Sequence, residues 1–162
     1  MSNSDAFWMP FTPNRDFKLS PRLLASASGV TYQTVDGRTV LDGISGLWCV
    51  GAGHRHPKIA EAMKTQIDTL DFASSFQVGH SGAFKLAERI ASIAPKNLDR
   101  IFFVNSGSEA CDTAMKMALA YWRIRGQGHR NLFIGRERGF HGVGFGGISV
   151  GGMINNRNAF GA

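Results

Sequence analysis

The feature that most constrains the fold is a helical pattern lying between two short apolar runs. The runs are RIFFVN at residues 100–105 and NLFIG at residues 131–135, and continuous β-rich runs of this kind are typical of strands buried on both faces. Between them, residues 110–121 repeat small and apolar side chains at helical spacing. Two strands joined through a helix form a βαβ unit. The sequence therefore predicts a parallel sheet and the α/β class.

Three other patterns predict a hairpin and two more helices. Two β-rich runs flank Asp36-Gly37, a dipeptide that suits a two-residue turn because both positions accept a positive φ. Pro57 suits the first position of a helix, and apolar residues follow it at helical spacing. A second helical pattern occupies residues 83–94 and is followed by a proline.

The N-terminal stretch combines aromatic residues with proline, so it cannot form a long helix and is too apolar for a solvated tail. We expect it to lie against another surface, such as that of a partner subunit. Its aromatic residues are Phe7, Trp8, Phe11 and Phe17.

The composition fits one ordinary globular domain with a small anionic ligand. The chain has 162 residues, is 43% hydrophobic and carries 18 basic and 12 acidic residues, a formal charge of +6. This charge is spread along the chain, apart from a local cluster at residues 123–138, and no nucleic-acid motif accompanies it. A phosphorylated small molecule needs far less positive charge than a nucleic acid, and we expect no nucleic-acid partner.

Cys49 and Cys111 have apolar neighbours and show neither C-x-x-C nor zinc-type spacing, so we expect reduced packing residues in a cytoplasmic protein. The first residues lack a signal-peptide pattern, and no apolar run approaches the ~18 residues of a membrane span. The histidines do not show the i, i+4 spacing of a metal site, and no metal is expected.

Ser106, Gly107 and Ser108 stand where a strand would end and a helix begin. In an open α/β sheet this is where ligands bind, because the first N–H groups of the helix are free and attract anions. Gly107 would let a phosphate approach the backbone, and the two hydroxyl groups could donate hydrogen bonds. Ser106 and Glu109 also form a capping box, which closes a helix end without any ligand. The two interpretations are compatible.

A second glycine pattern lies nearer the end of the chain. Gly142, Gly144 and Gly147 satisfy part of the dinucleotide-binding fingerprint. That fingerprint requires a strand directly before it and an acidic residue about 20 positions later, and neither condition is met. A nucleotide-binding domain is therefore only a third alternative.

Four motifs together resemble the class-III aminotransferases that use pyridoxal 5′-phosphate, and within them the ω-amino acid:pyruvate (β-alanine:pyruvate) transaminases. The resemblance covers nearly the whole chain and implies the N-terminal part of the type I fold. Residues 1–50 would form an arm and a hairpin of the small domain, and residues 51–162 an incomplete cofactor-binding large domain. The motifs are FWMPFTPNRDF, SGLWCVGAGHRHP, FFVNSGSEACDTAMKMALAYWR and GRERGFHGVGFGGISVGG.

The resemblance implies roles for six residues. Ser106, Gly107 and Ser108 would bind the phosphate of the cofactor. Phe140 would stack on its ring with His141 beside it, although many relatives have Tyr where this chain has Phe. Trp48, which could also be a core aromatic, would line the substrate pocket.

The resemblance also implies that the lysine that holds the cofactor covalently, and the aspartate at its ring nitrogen, lie downstream of every matched motif. We therefore expect no catalytic residue in these 162 residues and no turnover by this chain alone. The complete enzyme would use an amino donor and pyruvate as a homodimer or larger oligomer. The alternative is a non-catalytic phosphate-binding module that docks on an intact relative.

Overall fold

The structure, a computed structural model, describes residues 6–160. These residues fall into two compact units, one ending at Gly79 and the other beginning at His80. The predicted domain division after residue 50 stays a prediction. The elements in chain order are α1 (Asn14–Leu19), β1 (Leu24–Ser28), β2 (Thr31–Thr34), β3 (Thr39–Leu41), α2 (Ser45–Trp48), α3 (Pro57–Thr69), α4 (Ser81–Ile93), α5 (Gly107–Ile124), α6 (Phe145–Val150) and α7 (Ile154–Phe160).

The first unit contains an antiparallel sheet in the order β1-β2-β3. Strands β2 and β3 are the predicted hairpin, in which Tyr32 pairs with Val40. Strand β1 was not predicted from the sequence; it pairs with β2 on the other side, with Ala27 opposite Tyr32. The sheet places Tyr32 on its central strand, β2.

The turn of the hairpin has three residues, so the prediction of a two-residue turn is wrong. The Gly37 N–H donates to the Thr34 carbonyl oxygen (3.0 Å), and the Thr34 N–H donates to the Arg38 carbonyl oxygen (2.9 Å). Gly37 has a φ of +85°, whereas Asp36 does not have a positive φ. The Asp36 carboxylate accepts hydrogen bonds from the Thr34 hydroxyl and from the Arg38 guanidinium. These two hydrogen bonds, the one from Thr34 most, lower the pKa of Asp36. A left-handed glycine at the last loop position is typical of three-residue hairpins.

The three long helices are confirmed at the positions that the sequence predicts. Helix α3 begins at Pro57, which needs no N–H partner at the first helical position. Helix α4 ends at Ile93, shortly before the predicted stop at Pro95. Helix α5 has 18 residues and begins directly after Ser106.

Residues 100–105 and 131–135 are not strands, so these two predictions are wrong for the described residues. Both segments are largely exposed; Ile134, for example, is 92% accessible. A strand satisfies its backbone through a neighbouring strand. No sheet other than the antiparallel β1-β2-β3 occurs in residues 6–160, so the predicted parallel sheet is not found there. Apolar content alone therefore did not determine the structure here.

No apolar side chain in the described part of the chain is buried. The apolar faces of the long helices are open to solvent, as at Met63 and Ile67 of α3. Trp8 and Phe11 of the arm are also exposed, and their contact with another surface stays a prediction. Cys49 is exposed as well, so the expectation that it packs in apolar surroundings is wrong. Among these residues, none of the helices is long and apolar enough to cross a membrane.

We expect the purified 162-residue chain to bind a solvatochromic dye such as anilinonaphthalene sulfonate strongly and to self-associate, because so much apolar surface is exposed. Dye fluorescence and analytical ultracentrifugation measure these properties. A monomer that unfolds in one sharp transition and leaves the dye dark would contradict the expectation.

Candidate functional site

Helix α5 begins with the serine N-cap of the predicted capping box, but the Glu109 carboxylate reaches the N–H of Asn105 and not that of Ser106. The Ser106 Oγ accepts a hydrogen bond from the Glu109 N–H (3.2 Å). The Glu109 carboxylate in turn accepts from the Asn105 N–H (2.9 Å) and from the Asn105 side-chain amide (3.2 Å). Loss of such a serine cap costs about 1 kcal/mol. The capping role of Ser106 is therefore confirmed, whereas the reciprocal bond of the capping box is shifted to Asn105.

The N–H groups of Gly107 and Ser108 donate to no acceptor among the described residues. Both belong to the first turn of α5, where N–H groups have no partner within a helix. A side chain built at Gly107 would meet nothing within 4 Å, so the backbone there is open to a ligand. The dipole of an 18-residue helix adds a favourable field for an anion at this end.

The Ser108 side chain connects this turn to the glycine-rich segment that carries Phe140. Its Oγ accepts a hydrogen bond from the Val143 N–H (3.0 Å). Gly142 is buried against the same serine, has a φ of +120°, and would place a Cβ 2.7 Å from the Ser108 Cα. Only glycine fits this approach. The structure thus brings Ser106, Gly107 and Ser108 next to the segment of Phe140.

Phe140 and His141 line a small recess beside this contact, together with Met153 and Asn156. Phe140 is 58% exposed, so its ring retains an accessible face. Two backbone hydrogen bonds hold the segment. The Arg138 N–H donates to the Gly152 carbonyl oxygen (3.1 Å), and the Gly152 N–H donates to the Gly139 carbonyl oxygen (2.8 Å). This folded segment, residues 138–152, is called the glycine segment below.

Asp112 lies one helical turn after Ser108 and also contacts the glycine segment. Its Oδ1 accepts a hydrogen bond from the Gly147 N–H (2.8 Å), although the two residues are 35 positions apart. A Cβ at Gly144 would overlap the Asp112 Oδ2, and one at Gly146 would lie 2.8 Å from the Oδ1. Packing against α5 therefore accounts for these glycines. Among the described residues no strand comes directly before them, so the dinucleotide alternative has no support here.

A cleft of about 690 Å³ opens along this face of α5. Sequence reasoning missed three polar residues in its lining, Asp112, Thr113 and Lys116. The signal was available for two of them, because Ser108, Asp112 and Lys116 are spaced four residues apart and share one helix face. Lys116 brings a positive charge into the cleft. The remaining lining residues are Phe102, Phe103, Val104, Asn105, Ser106, Ser108, Glu109, Val143 and Gly144.

Trp48, the predicted substrate-pocket residue, belongs to the first unit and ends a turn of unusual handedness. Ser45, Gly46, Leu47 and Trp48 all have φ between +50° and +69°. A left-handed conformation costs a residue with a side chain roughly 1–2 kcal/mol, so surrounding contacts must hold this turn. Trp48 is 85% exposed and contributes no buried packing of its own.

A buried carboxylate, Asp42, holds the turn. It accepts hydrogen bonds from the N–H groups of Ile44 (3.2 Å) and Gly46 (2.7 Å) and from the His54 Nε2 (2.7 Å). The Tyr32 ring packs on the His54 ring at 4.5 Å. Burial raises the pKa of Asp42, but the hydrogen bonds from His54, Ile44, Gly46 and Tyr32 lower it by more, so the pKa of Asp42 lies below the ordinary value of an aspartate. Burial and the Asp42 charge raise the pKa of Tyr32. We refer to Tyr32, Asp42 and His54 as the Asp42 cluster.

The described residues contain no group of three or more histidine, cysteine, aspartate or glutamate side chains that could hold a metal ion. The chemistry available in the second unit is instead that of an anion site: free N–H groups, a serine hydroxyl, a lysine and an adjacent aromatic ring.

Solved structures with the same fold define the class of protein. A transaminase from the marine bacterium Virgibacillus matches 96% of this chain with a TM-score of 0.89 at 33% identity, over 36% of its own length. The ω-transaminase of Pseudomonas jessenii in complex with PMP matches 96% with a TM-score of 0.91 at 28% identity, over 35% of its length. The chain has the α/β, type I fold of pyridoxal-phosphate-dependent transferases, which confirms the predicted fold class.

Sequence comparison then gives the family. The family model for aminotransferase class-III matches residues 14–162, and this chain belongs to the class-III aminotransferases. An omega-aminotransferase of Caulobacter vibrioides is 63% identical over 98% of the chain. A beta-alanine–pyruvate aminotransferase of Pseudomonas aeruginosa is 48% identical, also over 98%. The chain spans 36% of the length of each relative.

The pKa of Asp42 predicts how the left-handed turn responds to acid. Because the folded pKa of Asp42 lies below that of an unfolded aspartate, the hydrogen bonds stabilise the turn fully above the unfolded pKa and lose this effect as the pH falls through the folded pKa. NMR titration from about pH 6 to about pH 2 should move the Ile44 and Gly46 amide resonances together, with a midpoint below the ordinary Asp value of about 3.9. In Asp42→Asn this common titration should vanish, whereas the control Asp36→Asn should retain it. A midpoint above the ordinary value would contradict the assignment.

Replacing Gly142 should separate the glycine segment from α5. In Gly142→Ala the new methyl group would overlap Ser108 and the backbone would be held at an unfavourable φ. The amide resonances of Val143 and Gly147 should therefore both shift strongly. Gly128→Ala is the matched control, because its Cβ would make only ordinary contacts at 4.0 Å. Shifts confined to the immediate neighbours in both variants would show that the segment does not depend on this approach.

Proposed function

We propose that this chain is the N-terminal portion of a pyridoxal-phosphate-dependent transaminase that moves an amino group from an ω-amino acid or amine, such as β-alanine, to pyruvate. Its membership of the class-III aminotransferases supports the reaction type. The names of two relatives, a beta-alanine–pyruvate aminotransferase and an omega-amino acid–pyruvate aminotransferase from Pseudomonas putida, support the substrates. Because the chain spans about a third of their length, the activity is assigned to the complete enzyme.

The observation that carries the proposal is the open first turn of α5. The N–H groups of Gly107 and Ser108 lack acceptors within the described residues, and the Ser108 hydroxyl lies beside them. A phosphate group would satisfy these donors and interact favourably with the helix dipole. Ser106 closes the same turn and keeps its hydroxyl hydrogen available for donation.

Charges in the cleft are compatible with a phosphate. Lys116 supplies a cation, whereas the carboxylates of Glu109 and Asp112 already accept hydrogen bonds from the N–H groups of Asn105 and Gly147. Hydrogen bonds of this kind reduce the effective negative charge that an incoming phosphate meets. Binding would therefore depend on directed N–H and O–H donors more than on net charge.

Phe140 supplies the face against which the cofactor ring would stack, and His141 lies beside it. When bound, pyridoxal phosphate supplies the electron-accepting ring and the carbonyl group through which amino groups are exchanged. The residues described in this chain bind, orient and shield that group. The covalent lysine and the aspartate at the ring nitrogen are assigned to a part of the enzyme outside these 162 residues, so this chain alone would be inactive.

Trp48 would form a wall of the substrate pocket, on a turn whose course the Asp42 cluster fixes. The exposed aromatic residues of the arm would help to shape that pocket. The complete enzyme would act as a homodimer or larger oligomer, which is consistent with the extent of exposed apolar surface on this portion.

The phosphate site predicts that Ser108→Ala and Gly107→Val each weaken binding of pyridoxamine 5′-phosphate, by about tenfold or more, since hydrogen bonds to a charged group are strong. Pyridoxamine 5′-phosphate is the probe of choice because it has no aldehyde to react with lysines. Its fluorescence or isothermal titration calorimetry gives the affinity. Inorganic phosphate should compete.

Variants of Ser106 separate helix capping from phosphate binding. Ser106→Asp keeps a good N-cap but adds a negative charge at the site, so α5 should stay helical while binding is lost. Ser92→Ala, which alters a serine hydroxyl on α4, is the matched control and should bind normally. Unchanged affinity in both Ser108→Ala and Gly107→Val would remove the assigned site.

A further inference from the structure

Helix α6 has only six residues and lacks a cap of its own. The residue before it is Gly144, which has no side chain to accept a hydrogen bond. The acceptor comes instead from Asp112 on α5, whose Oδ1 lies 2.8 Å from the Gly147 nitrogen. A carboxylate at the first turn of a helix satisfies an N–H group and complements the helix dipole. Asp112 is therefore a long-range cap for α6.

Gly147 packs against the residues next to Phe140. A Cβ at Gly147 would lie 2.6 Å from the His141 carbonyl oxygen and 3.2 Å from the Gly142 Cα. Gly147 is buried, and its backbone packs directly against the backbone of His141. An unbroken series of contacts thus leads from Asp112 through Gly147 to His141, the residue that follows Phe140.

Ser108 and Asp112 form two anchors one helical turn apart. The first binds the N–H of Val143 and the second binds the N–H of Gly147. Two anchors fix both the position and the rotation of the glycine segment on α5, whereas one anchor alone would leave it free to pivot. The close approach of Gly144 and Gly146 to the Asp112 carboxylate shows that the segment follows this side chain along its length.

We propose that Asp112 is a positioning residue that sets the orientation of the Phe140 ring for the cofactor. The inference rests on the proposed function, because the ring matters only if a planar ligand stacks on it. Asp112 acts through the glycine segment and not through contact with the phosphate, since a carboxylate would repel that group and its Oδ1 is engaged by Gly147.

The experiment compares two probes on the full 162-residue chain. The affinity for pyridoxamine 5′-phosphate depends on both phosphate binding and ring stacking. The affinity for inorganic phosphate depends on phosphate binding alone. In Asp112→Ala we expect the affinity for pyridoxamine 5′-phosphate to fall about 5- to 10-fold, the range of an aromatic stacking contact. The affinity for inorganic phosphate should not fall, because Gly107 and Ser108 are unchanged and a repelling carboxylate has been removed.

Two further variants distinguish positioning from a general loss of structure. Asp112→Asn keeps an acceptor oxygen for the Gly147 N–H and should restore binding to within about threefold of the original chain. In a Phe140→Ala background, Asp112→Ala should cause no additional loss, because a residue that acts through the ring has no effect once the ring is gone. Asp68→Ala, an aspartate on α3, is the matched control and should behave as the unmodified chain.

The outcomes separate the two claims. An unmodified chain that binds neither probe overturns the proposed function, and the role of Asp112 falls with it. An unmodified chain that binds both, with Asp112→Ala equal to it, overturns only the positioning role. Equal losses for both probes in Asp112→Ala, or additive losses in the double variant, would also overturn it, because either would indicate a general structural effect.

Discussion

Hydrogen bonds from backbone N–H groups to two aspartates hold this structure together where regular secondary structure and apolar burial do not. Asp42 accepts from Ile44 and Gly46, and Asp112 accepts from Gly147. An N–H group left without a partner away from water costs about 1–3 kcal/mol. No apolar side chain among residues 6–160 is buried, so little else compensates for the loss of either carboxylate.

Against this background, the donors that remain unsatisfied are informative. Elsewhere in the second unit, the N–H of Val143 in a loop and that of Gly147 in the first turn of α6 donate to side-chain acceptors. The N–H groups of Gly107 and Ser108 find none in the described part of the chain, and they lie at the positive end of the longest helix. First-turn N–H groups are free in any helix, but here they lie beside the Ser108 hydroxyl and the glycine segment, where an anion could accept from them.

Local signals in the sequence were sufficient for the helices, the hairpin position and the cap at Ser106, because each depends on residues within a few positions of one another. The strands predicted at 100–105 and 131–135 depend on pairing partners elsewhere, which apolar content does not specify. The capping of Gly147 by Asp112 was also missed, since its partners are 35 residues apart. For Ser106, Gly107 and Ser108, the local fold was predictable, but the ligand came from the resemblance.

The left-handed turn at Ser45–Trp48 separates the course of the backbone from the identity of its last side chain. Hydrogen bonds to Asp42 determine the path of the main chain, and the indole of Trp48 projects into solvent without supporting it. Natural variation could therefore exchange the residue at position 48 for larger, smaller or more polar ones while the loop keeps its shape. If Trp48 lines the substrate pocket as proposed, substrate selectivity would change with this one side chain while the backbone of the turn stays the same.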